Sequence, residues 1–303
     1  MVSVIVATYN PVWDKLKATL LSVLSQKSIE YEILIADDGS ENDLANEIKD
    51  LFSTYNFENY KILSSETNRG TVLNYYNAVL NARYDYIKPL SPGDCLFSET
   101  TLAEWAEYAI SRKAKICFGD AIYYEEKSFQ IINRRNPKHT ELYADDNKSN
   151  NKIPYLLLPD HVLGAALITE KETTISYLKL IINKVKYCED YILKFYLIDG
   201  CKLTYFKNAV LWYEYGLGVS TNSKWLSILL NERKVCAGLL YDHENSSWRW
   251  RLIWKHQKKT GKLPKYRYFL FPSLLRFKLF KRNKPARNNN EINTDRLRSY
   301  FGQ

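Results

Sequence analysis

The chain has 303 residues, of which 46% are hydrophobic and 25% are charged, as in an ordinary soluble globular protein with a sizeable core. Its 5 cysteines are scattered and form no C-x-x-C pair, so we interpret them as reduced thiols of a cytosolic protein rather than as a zinc site or a disulfide framework. No apolar stretch reaches the roughly 18 residues of a membrane span, and the opening MVSVIVATYN lacks the basic start of a signal peptide.

The formal net charge of +9 is unevenly distributed along the chain. Residues 248–287 contain 14 Lys or Arg and no Asp or Glu, whereas residues 1–247 are mildly acidic. The positive charge therefore belongs to a C-terminal tail and indicates nothing about the partners of the preceding residues.

The first hundred residues alternate strand and helix patterns. The apolar run VSVIVATY predicts a strand buried on both faces, and Pro11 then opens a stretch with apolar residues at helical spacing. Further strands are predicted at YEILIA, YKILSS and YDYIKPL, with helices near residues 43–55 and at TVLNYYNAVLNA. This β-α-β-α-β-α-β order predicts a parallel sheet with right-handed crossovers, whose ligands lie beyond the carboxyl ends of the strands.

The later part of the chain has a looser pattern. A helix is predicted at residues 99–111, a strand at AKICFGDAIYYEE and a long polar loop at residues 133–151. The pattern then predicts a strand at HVLGAALIT, a helix at EDYILKFYLI and two strands at KLTYF and AVLWYEYG. From Lys224 onward it is mainly helical and ends in the polar, frayed tail NKPARNNNEINTD.

Polar residues follow the predicted strands at the points where the strands end. Thr8, Tyr9 and Asn10 end the first strand, Asp37 and Asp38 follow the second, and Asp94 closes the LSPGD turn after the fourth. Because the carboxyl ends of parallel strands share one edge, we expect these residues to lie close together. The aspartate pair could accept hydrogen bonds from a nucleotide base or ribose, or could only shape the following turn. No G-x-G-x-x-G follows the first strand, which disfavours a dinucleotide site.

Two further groups have both a structural and a chemical interpretation. Asn68-Arg69-Gly70 could be an ordinary turn, or Arg69 could stack on a base or pair with phosphate. Glu189 and Asp190 suit the first turn of a helix, whose dipole favours acids. A carboxylate fixed at that position could equally act as a general base toward an alcohol.

Taken together, the segments VSVIVATYN, ILIADDGS, NRG, LSPGD and CEDYILKFYL resemble family 2 glycosyltransferases in their order and spacing over about residues 1–220. The resemblance implies an α/β GT-A-type fold with a Rossmann-like, mostly parallel sheet flanked by helices. Its nucleotide-binding half would be residues 1–95 and its acceptor-binding half 96–220, followed by a helical basic C-terminal extension at 221–303.

The resemblance also implies an activity. It is the inverting transfer of a hexose or N-acetylhexosamine from a nucleotide sugar, commonly a UDP-sugar, to a glycan or polyprenyl-diphosphate-linked acceptor (EC 2.4 class). Such enzymes act in bacterial surface-polysaccharide synthesis, for example of O-antigen or capsule. By the same resemblance Asp190 would be the general base of a single in-line displacement, and Gly164 and Glu189 would bind the acceptor. The nucleotide sugar would be bound by Thr8, Tyr9, Asn10, Asp37, Asp38, Arg69 and Asp94.

The resemblance implies a divalent metal, Mn²⁺ or Mg²⁺, that bridges the donor diphosphate to Asp94. The family's common form of this turn is Leu-Asp-x-Asp-Asp, and here Ser91 and Gly93 replace two of the three acids. Since Mg²⁺ needs only one or two carboxylates when phosphates and waters supply the rest, a metal at Asp94 is still expected. With one protein carboxylate, we expect weak metal binding in the absence of nucleotide.

The basic tail interleaves aromatic and cationic residues. In WRWRLIWKHQKK, Trp250, Ile253 and Trp254 fall on one helical face, a pattern that favours an anionic bilayer surface through residues 248–287. Packing of this stripe on the catalytic domain, nucleic-acid binding and homodimerisation are the alternatives.

We therefore expect a cytoplasmic enzyme that is peripheral at the inner face of the cytoplasmic membrane and has no nucleic-acid partner, because no nucleic-acid-binding motif is present. A nucleic-acid-binding protein with a basic tail and a catalytically silent glycosyltransferase relative remain the alternative functions.

Overall fold

The computed structural model describes residues 1–134, 136–140, 143, 152–158, 161–216, 225–243, 247–275 and 292–303. The strands are β1 Val2–Thr8, β2 Tyr31–Asp37, β3 Tyr60–Ser64, β4 Tyr86–Leu90, β5 Cys95–Leu96, β6 Ile116–Tyr124, β7 Ile131–Ile132, β8 Leu167–Glu170 and β9 Thr204–Glu214. The α-helices are α1 Trp13–Leu24, α2 Ala45–Thr54, α3 Thr71–Asn81, α4 Thr101–Ser111, α5 Lys152–Leu157, α6 Lys171–Ile181, α7 Ile192–Ile198, α8 Leu226–His243, α9 Trp248–Thr260, α10 Arg267–Leu270 and α11 Asp295–Tyr300. Short 3₁₀ turns lie at Gly164–Ala166, Glu189–Tyr191 and Pro272–Leu274.

The strands form one mixed sheet in the order β3-β2-β1-β4-β8-β6-β9-β5, with β7 paired to β6. β1 pairs in parallel with β2 and β4, and β6 pairs in parallel with β9. β8 is antiparallel to both β4 and β6, so β6 and β9 run in the same direction as β1 to β4. The carboxyl ends of β1, β2, β3, β4, β6 and β9 therefore share one side of the sheet, which we call the carboxyl edge. The predicted α/β fold is confirmed.

Two predicted strands differ from the structure. The strand predicted at HVLGAALIT begins only at Leu167, because the low-propensity Gly164–Ala166 segment forms a 3₁₀ turn before it. The strands predicted at KLTYF and AVLWYEYG are one continuous strand, β9. Its exposed Lys207 and Asn208 lie where the pairing with β6 shifts register, and such an irregularity tolerates a polar pair within a strand. Most of the predicted loop at 133–151 and of the polar tail lies outside the described residues.

The sheet is covered on both faces. Helices α1, α2 and α4 pack on one face around residues such as Leu16, Phe52 and Trp105. On the other face, α3, α6 and α7 share a single core with the C-terminal helices α8 and α9. The predicted domain boundary at residue 220 falls outside the described residues and stays a prediction. Within the described residues, no helix is long and apolar enough to cross a membrane.

The aromatic stripe of α9 faces the protein, which corrects the prediction that it faces a bilayer. Trp250, Ile253 and Trp254 are at most 6% exposed, and they belong to the same core as α6 and α7. Trp250 stacks on Trp254 with ring centroids 5.7 Å apart and contacts Phe271 at 4.6 Å. An apolar helical stripe can face a lipid surface or pack in a protein core, and in this structure it packs in the core.

Helix α11 packs against the opposite side of the molecule, on α1 and the β6–β7 hairpin. Leu297 is fully buried in a cluster with Tyr124 and Trp212. The Arg298 guanidinium donates a 2.8 Å hydrogen bond to the Ser128 carbonyl. Residues separated by more than 250 positions in the chain are thereby in contact, as in the 3.1 Å hydrogen bond between the Ser25 and Tyr300 hydroxyls.

Candidate functional site

The first two strand ends form one hydrogen-bonded unit at the carboxyl edge. Thr8 and Asp37 are register partners, and the Thr8 hydroxyl donates a 2.9 Å hydrogen bond to Asp37 Oδ1. The Ser40 amide donates a 2.9 Å bond to Asp37 Oδ2. Asn10 joins the same unit, because its backbone amide donates a 2.7 Å hydrogen bond to the Ser40 hydroxyl. Thr8, Asn10 and Asp37 are thus brought together as predicted, with Tyr9 beside them and 50% exposed.

Asp38 fixes the loop that follows β3. Its carboxylate is 4% exposed and accepts hydrogen bonds from the Arg69 amide at 2.9 Å and the Gly70 amide at 2.7 Å. Gly70 has φ +93°, and a Cβ there would lie 2.6 Å from Lys186 Cβ, so only glycine fits this contact. The Arg69 residue stays exposed at the edge. Asp37 and Asp38 both have structural partners, so which of them contacts a base stays a prediction.

The LSPGD turn is fixed by hydrogen bonds on every side. The Asp94 amide donates to the Ser91 carbonyl at 3.0 Å, and the Ser91 amide donates to Asp94 Oδ2 at 3.3 Å. The Gly93 amide donates to the Thr19 hydroxyl of α1 at 3.0 Å, and the Tyr124 hydroxyl of β6 donates to the Gly93 carbonyl at 2.6 Å. Two neighbouring elements therefore determine the position of the turn.

Asp94 is buried beside a buried lysine. Burial raises the pKa of the Asp94 carboxyl to about 7, and the charge of Lys88 opposes this rise. Lys88 is fully buried, its ammonium donates to the Ala165 carbonyl at 2.5 Å, and burial lowers its pKa to about 7. The chain itself thus places a basic group near this carboxyl, and the same lysine ties the LSPGD side of the site to the Gly164–Ala166 turn.

The LSPGD turn fits a protein-held divalent metal poorly. Asp94 is 5% exposed and hydrogen-bonded, and Ser91 and Gly93 offer no carboxylate. In the described parts of the chain, no group of three or more His, Cys, Asp or Glu is placed to hold a metal ion. Sequence reasoning missed Glu214, an acid at the end of β9 whose carboxylate lies against Gly93. The only sequence signal for it is an acid at the end of an apolar strand.

A second centre lies at the 3₁₀ turn that contains Glu189 and Asp190. Asp190 is an exposed residue of this turn, and we call the region around the two acids the Glu189–Asp190 cleft. Burial of the carboxyl end of its side chain raises its pKa, and Lys194 and Arg233 oppose the rise. Burial, reinforced by the charge of Asp190, raises the pKa of Glu189 to about 8. Adjacent acids with displaced pKa values in an accessible cleft are typical of acid–base chemistry.

Helix α8 holds the loop that carries these acids, and the sequence analysis did not predict this contact. The Lys186 and Tyr187 amides donate hydrogen bonds to the two carboxylate oxygens of Glu232 at 2.7 and 2.8 Å. Arg233, the next residue of α8, is near enough to Asp190 to affect its pKa. No local pattern marks Glu232 or Arg233, because their partners are more than 40 residues away in the chain.

The two centres adjoin each other. The Val72 amide of α3 donates to the Lys186 carbonyl at 2.9 Å, next to the Gly70 contact described above. Burial and the charges of Glu232 and Asp38 raise the pKa of Tyr187, which places its hydroxyl near both Glu232 of α8 and Asp38 of the carboxyl edge. On the other side of the cleft, a Cβ on Gly164 would lie 4.0 Å from Glu189 Oε1. Gly164 and Glu189 therefore lie together, and their role in binding an acceptor stays a prediction.

Comparisons with known proteins identify the family and agree with the fold. Residues 3–171, more than half of the chain, match the model of the family described as Glycosyl transferase family 2. The structure of S. aureus TarS 1–349 in complex with UDP-GlcNAc is similar at TM-score 0.59 and 16% identity, over 93% of this chain and 76% of that chain. TarS 1–349 in complex with UDP gives TM-score 0.56 and 15% identity, over 92% and 75%. At these identities the likeness shows the fold alone. A comparison with curated proteins found no match.

Proposed function

Because the chain belongs to glycosyl transferase family 2, we propose that it transfers a hexose or N-acetylhexosamine from a UDP-sugar to a hydroxyl of a glycan or lipid-linked acceptor, with inversion. The observation that carries the proposal is the meeting of the strand-end polar residues with the Glu189–Asp190 cleft at one edge of the sheet. The donor class is supported by the fold shared with a protein that was solved with UDP and with UDP-GlcNAc. Bacterial surface polysaccharide is the product class we propose.

The nucleotide part of the donor would bind at the unit formed by the ends of β1 and β2. Tyr9 is half exposed and available to stack on a base, and the Asp37–Asp38 pair offers acceptors for base or ribose hydrogens. Arg69 is exposed beside them and can pair with phosphate. This arrangement would direct the sugar toward the cleft that holds Glu189 and Asp190.

The chemical step would need one general base. The acceptor hydroxyl gives its proton to Asp190 while its oxygen bonds to the anomeric carbon, and the bond from that carbon to the diphosphate oxygen breaks on the opposite face. Glu189, with a pKa of about 8, is protonated near neutral pH and can donate a hydrogen bond to the acceptor. Members of this family often depend on a divalent metal, which would stabilise the diphosphate charge, but the residues of the LSPGD turn fit such a metal poorly.

Release of UDP tests this function. We expect the protein to release UDP from at least one of UDP-glucose, UDP-galactose and their N-acetyl forms, and Asp190→Asn to lose this activity while still binding UDP. If no UDP-sugar is cleaved and no nucleoside diphosphate binds, the chain is a silent relative or a binding protein. If Asp190→Asn is as fast as the parent, the base is wrongly assigned.

We also propose that an anionic membrane surface is a partner, through a face other than the buried stripe of α9. Trp248, Leu252 and Phe269 are 63%, 41% and 84% exposed. The Tyr266 hydroxyl donates to the Leu252 carbonyl at 3.0 Å, which keeps the segment before Phe269 against α9. Exposed aromatic residues among cations without any acid favour anionic lipid headgroups, as expected at the inner face of a bacterial membrane.

Vesicle sedimentation tests the membrane surface. We expect binding to phosphatidylglycerol vesicles, weaker binding at high salt, and a marked loss in the variant Trp248→Ser/Phe269→Ser. Leu80→Ser is the matched control, because Leu80 is 47% exposed on α3, away from this face. Equal binding to phosphatidylcholine, or concentration-dependent dimerisation that the double variant removes, would contradict the membrane assignment.

A further inference from the structure

The carboxylate of Glu214 lies where a side chain of residue 93 would begin. A Cβ added to Gly93 would be 2.3 Å from Glu214 Oε2, closer than any two such atoms can approach. Gly93 also has φ +99°, a conformation that strains other residues. The acid that the family's common motif carries at this position is thus absent, and an acid from β9 occupies its space.

Lys15 of α1 neutralises that carboxylate. Its ammonium lies 2.7 Å from Glu214 Oε1 and 2.5 Å from Glu126 Oε1. Burial lowers the pKa of Lys15, but its hydrogen bonds to the two glutamates outweigh this and raise the pKa overall, so the ammonium stays charged. The chain therefore keeps a fixed cation beside the LSPGD turn.

The pairing is asymmetric in its exposure to solvent. The side chain of Glu214 is 7% exposed and that of Lys15 is 13% exposed, whereas that of Glu126 is 40% exposed at the rim. An exposed ion pair contributes little to stability, so exchange of Glu126 for an anionic ligand is not costly. Glu214 is buried and would remain bound to Lys15.

Little is left at this place for a divalent ion to bind. The amide and carbonyl of Gly93, the amide of Asp94 and its carboxylate all have partners within the chain. Asp94 is the only carboxylate of the turn itself, and the carboxylate of Glu214 beside it is already paired with Lys15. A divalent cation would have to compete with the Lys15 ammonium for Glu214.

On the basis of the proposed function, we propose that this chain binds the diphosphate of its donor without a protein-held divalent cation, and that Lys15 supplies the positive charge in its place. The diphosphate oxygen replaces the exposed carboxylate of Glu126 at the ammonium, while Glu214 holds the lysine in position. This differs from the metal at Asp94 that the family resemblance implies.

Isothermal titration of the full chain with UDP tests the proposal. We expect Kd to differ by less than about twofold between excess Mn²⁺ and EDTA, and Lys15→Met to weaken binding about tenfold, the size of one charged hydrogen bond. Lys15→Arg should restore most of the affinity, and Glu126→Gln should bind UDP more tightly because it frees the ammonium. Lys17→Met is the matched control, an exposed lysine on the same helix.

A designed reversal sharpens the test. Gly93→Asp/Glu214→Ala returns an acid to the turn and clears the space for it, so UDP binding by this variant should become stronger with Mn²⁺ than with EDTA. If EDTA abolishes UDP binding by the parent protein and Mn²⁺ restores it, the inference is overturned and the proposed function stands. If UDP, CDP, GDP and dTDP all fail to bind under either condition, the proposed function falls and this inference falls with it.

Discussion

The LSPGD turn and the Glu189–Asp190 cleft both contain carboxyls with raised pKa values, yet they differ in what surrounds them. Asp94 is 5% exposed, is bonded to the backbone and has a buried lysine nearby. Asp190 is an exposed residue, although its carboxyl is partly shielded, and the neighbouring carboxyl of Glu189 has a pKa of about 8. A raised pKa therefore does not by itself mark a catalytic acid or base. Access to a substrate separates a carboxyl that can do chemistry from one that holds a turn.

The largest expected effect tests the accessible acid. Asp190→Asn keeps the shape of the side chain but cannot accept a proton, so kcat should fall by about 10³-fold, within the range of general-base contributions. The Kd for UDP should stay nearly constant, because the residues proposed to bind the nucleotide lie at the ends of β1 and β2. Single-turnover transfer and titration with UDP measure the two quantities. A normal kcat, or equal losses of kcat and of UDP affinity, would contradict the assignment of Asp190 to the chemical step.

The support of the cleft by α8 gives the next effect. Glu232→Gln replaces an oxygen that accepts a backbone amide with an NH₂ group that repels it, so the 186–190 loop should shift and kcat should fall about tenfold. UDP affinity should change little. Asp242→Asn, an exposed substitution on the same helix, is the control. An unchanged kcat would mean that the loop keeps its position without α8.

The buried acid should affect stability more than rate. Asp94→Asn leaves Lys88 buried without the opposing charge, and we expect the free energy of unfolding to fall by about 1–3 kcal/mol. Adding Lys88→Met should recover part of this loss, which a double-mutant cycle from urea denaturation measures. Strict additivity of the two substitutions would mean that the charges do not interact. A loss of kcat as large as that of Asp190→Asn would assign Asp94 to the chemistry.

The pH dependence of stability gives the smallest effect. The pKa of Glu189 is about 8 in the fold, against 4.5 ordinarily, so between these values the folded protein holds a proton that the unfolded chain has released. The folded state then binds more protons, and the free energy of unfolding falls as pH rises through this window. Glu189→Gln should flatten that slope in urea denaturation. If the parent and variant curves run parallel, the raised pKa is contradicted.

Much of the carboxyl edge was predictable, because strand order alone brings Thr8, Asp37 and Asp38 together. The alternating pattern predicted the parallel strands and a strand at HVLGAALIT, but placed its start too early because the Gly-Ala-Ala segment is as apolar as a strand. It did not predict that β8 runs antiparallel between β4 and β6, because a local pattern carries no strand direction. Glu214 and Glu232 were not predictable. Each acts across a contact between distant parts of the chain, and neither stands in a pattern that local periodicity can show.

The aromatic stripe of α9 illustrates a different limit. Its pattern is compatible with both a bilayer surface and a protein core. Which of the two it contacts depends on how much apolar surface α6 and α7 leave uncovered, and this area can be known only from the folded structure. The exposed residues Trp248 and Phe269 lie off the stripe, so the surface proposed for lipid could be found only after the helix was packed.

The position of α11 has a consequence for the synthesis of the protein. The cluster of Cys95, Tyr124 and Trp212 is completed by Leu297, and Tyr124 holds the carbonyl of Gly93. Chains fold from the N-terminal side as they leave the ribosome, so β1 to β6 are present long before residue 297 emerges. Until then the cluster behind the LSPGD turn lacks Leu297 and is exposed to water. A nascent chain can assemble its first strands early, but the packing behind the LSPGD turn is completed only when the segment that contains Leu297 has been synthesised.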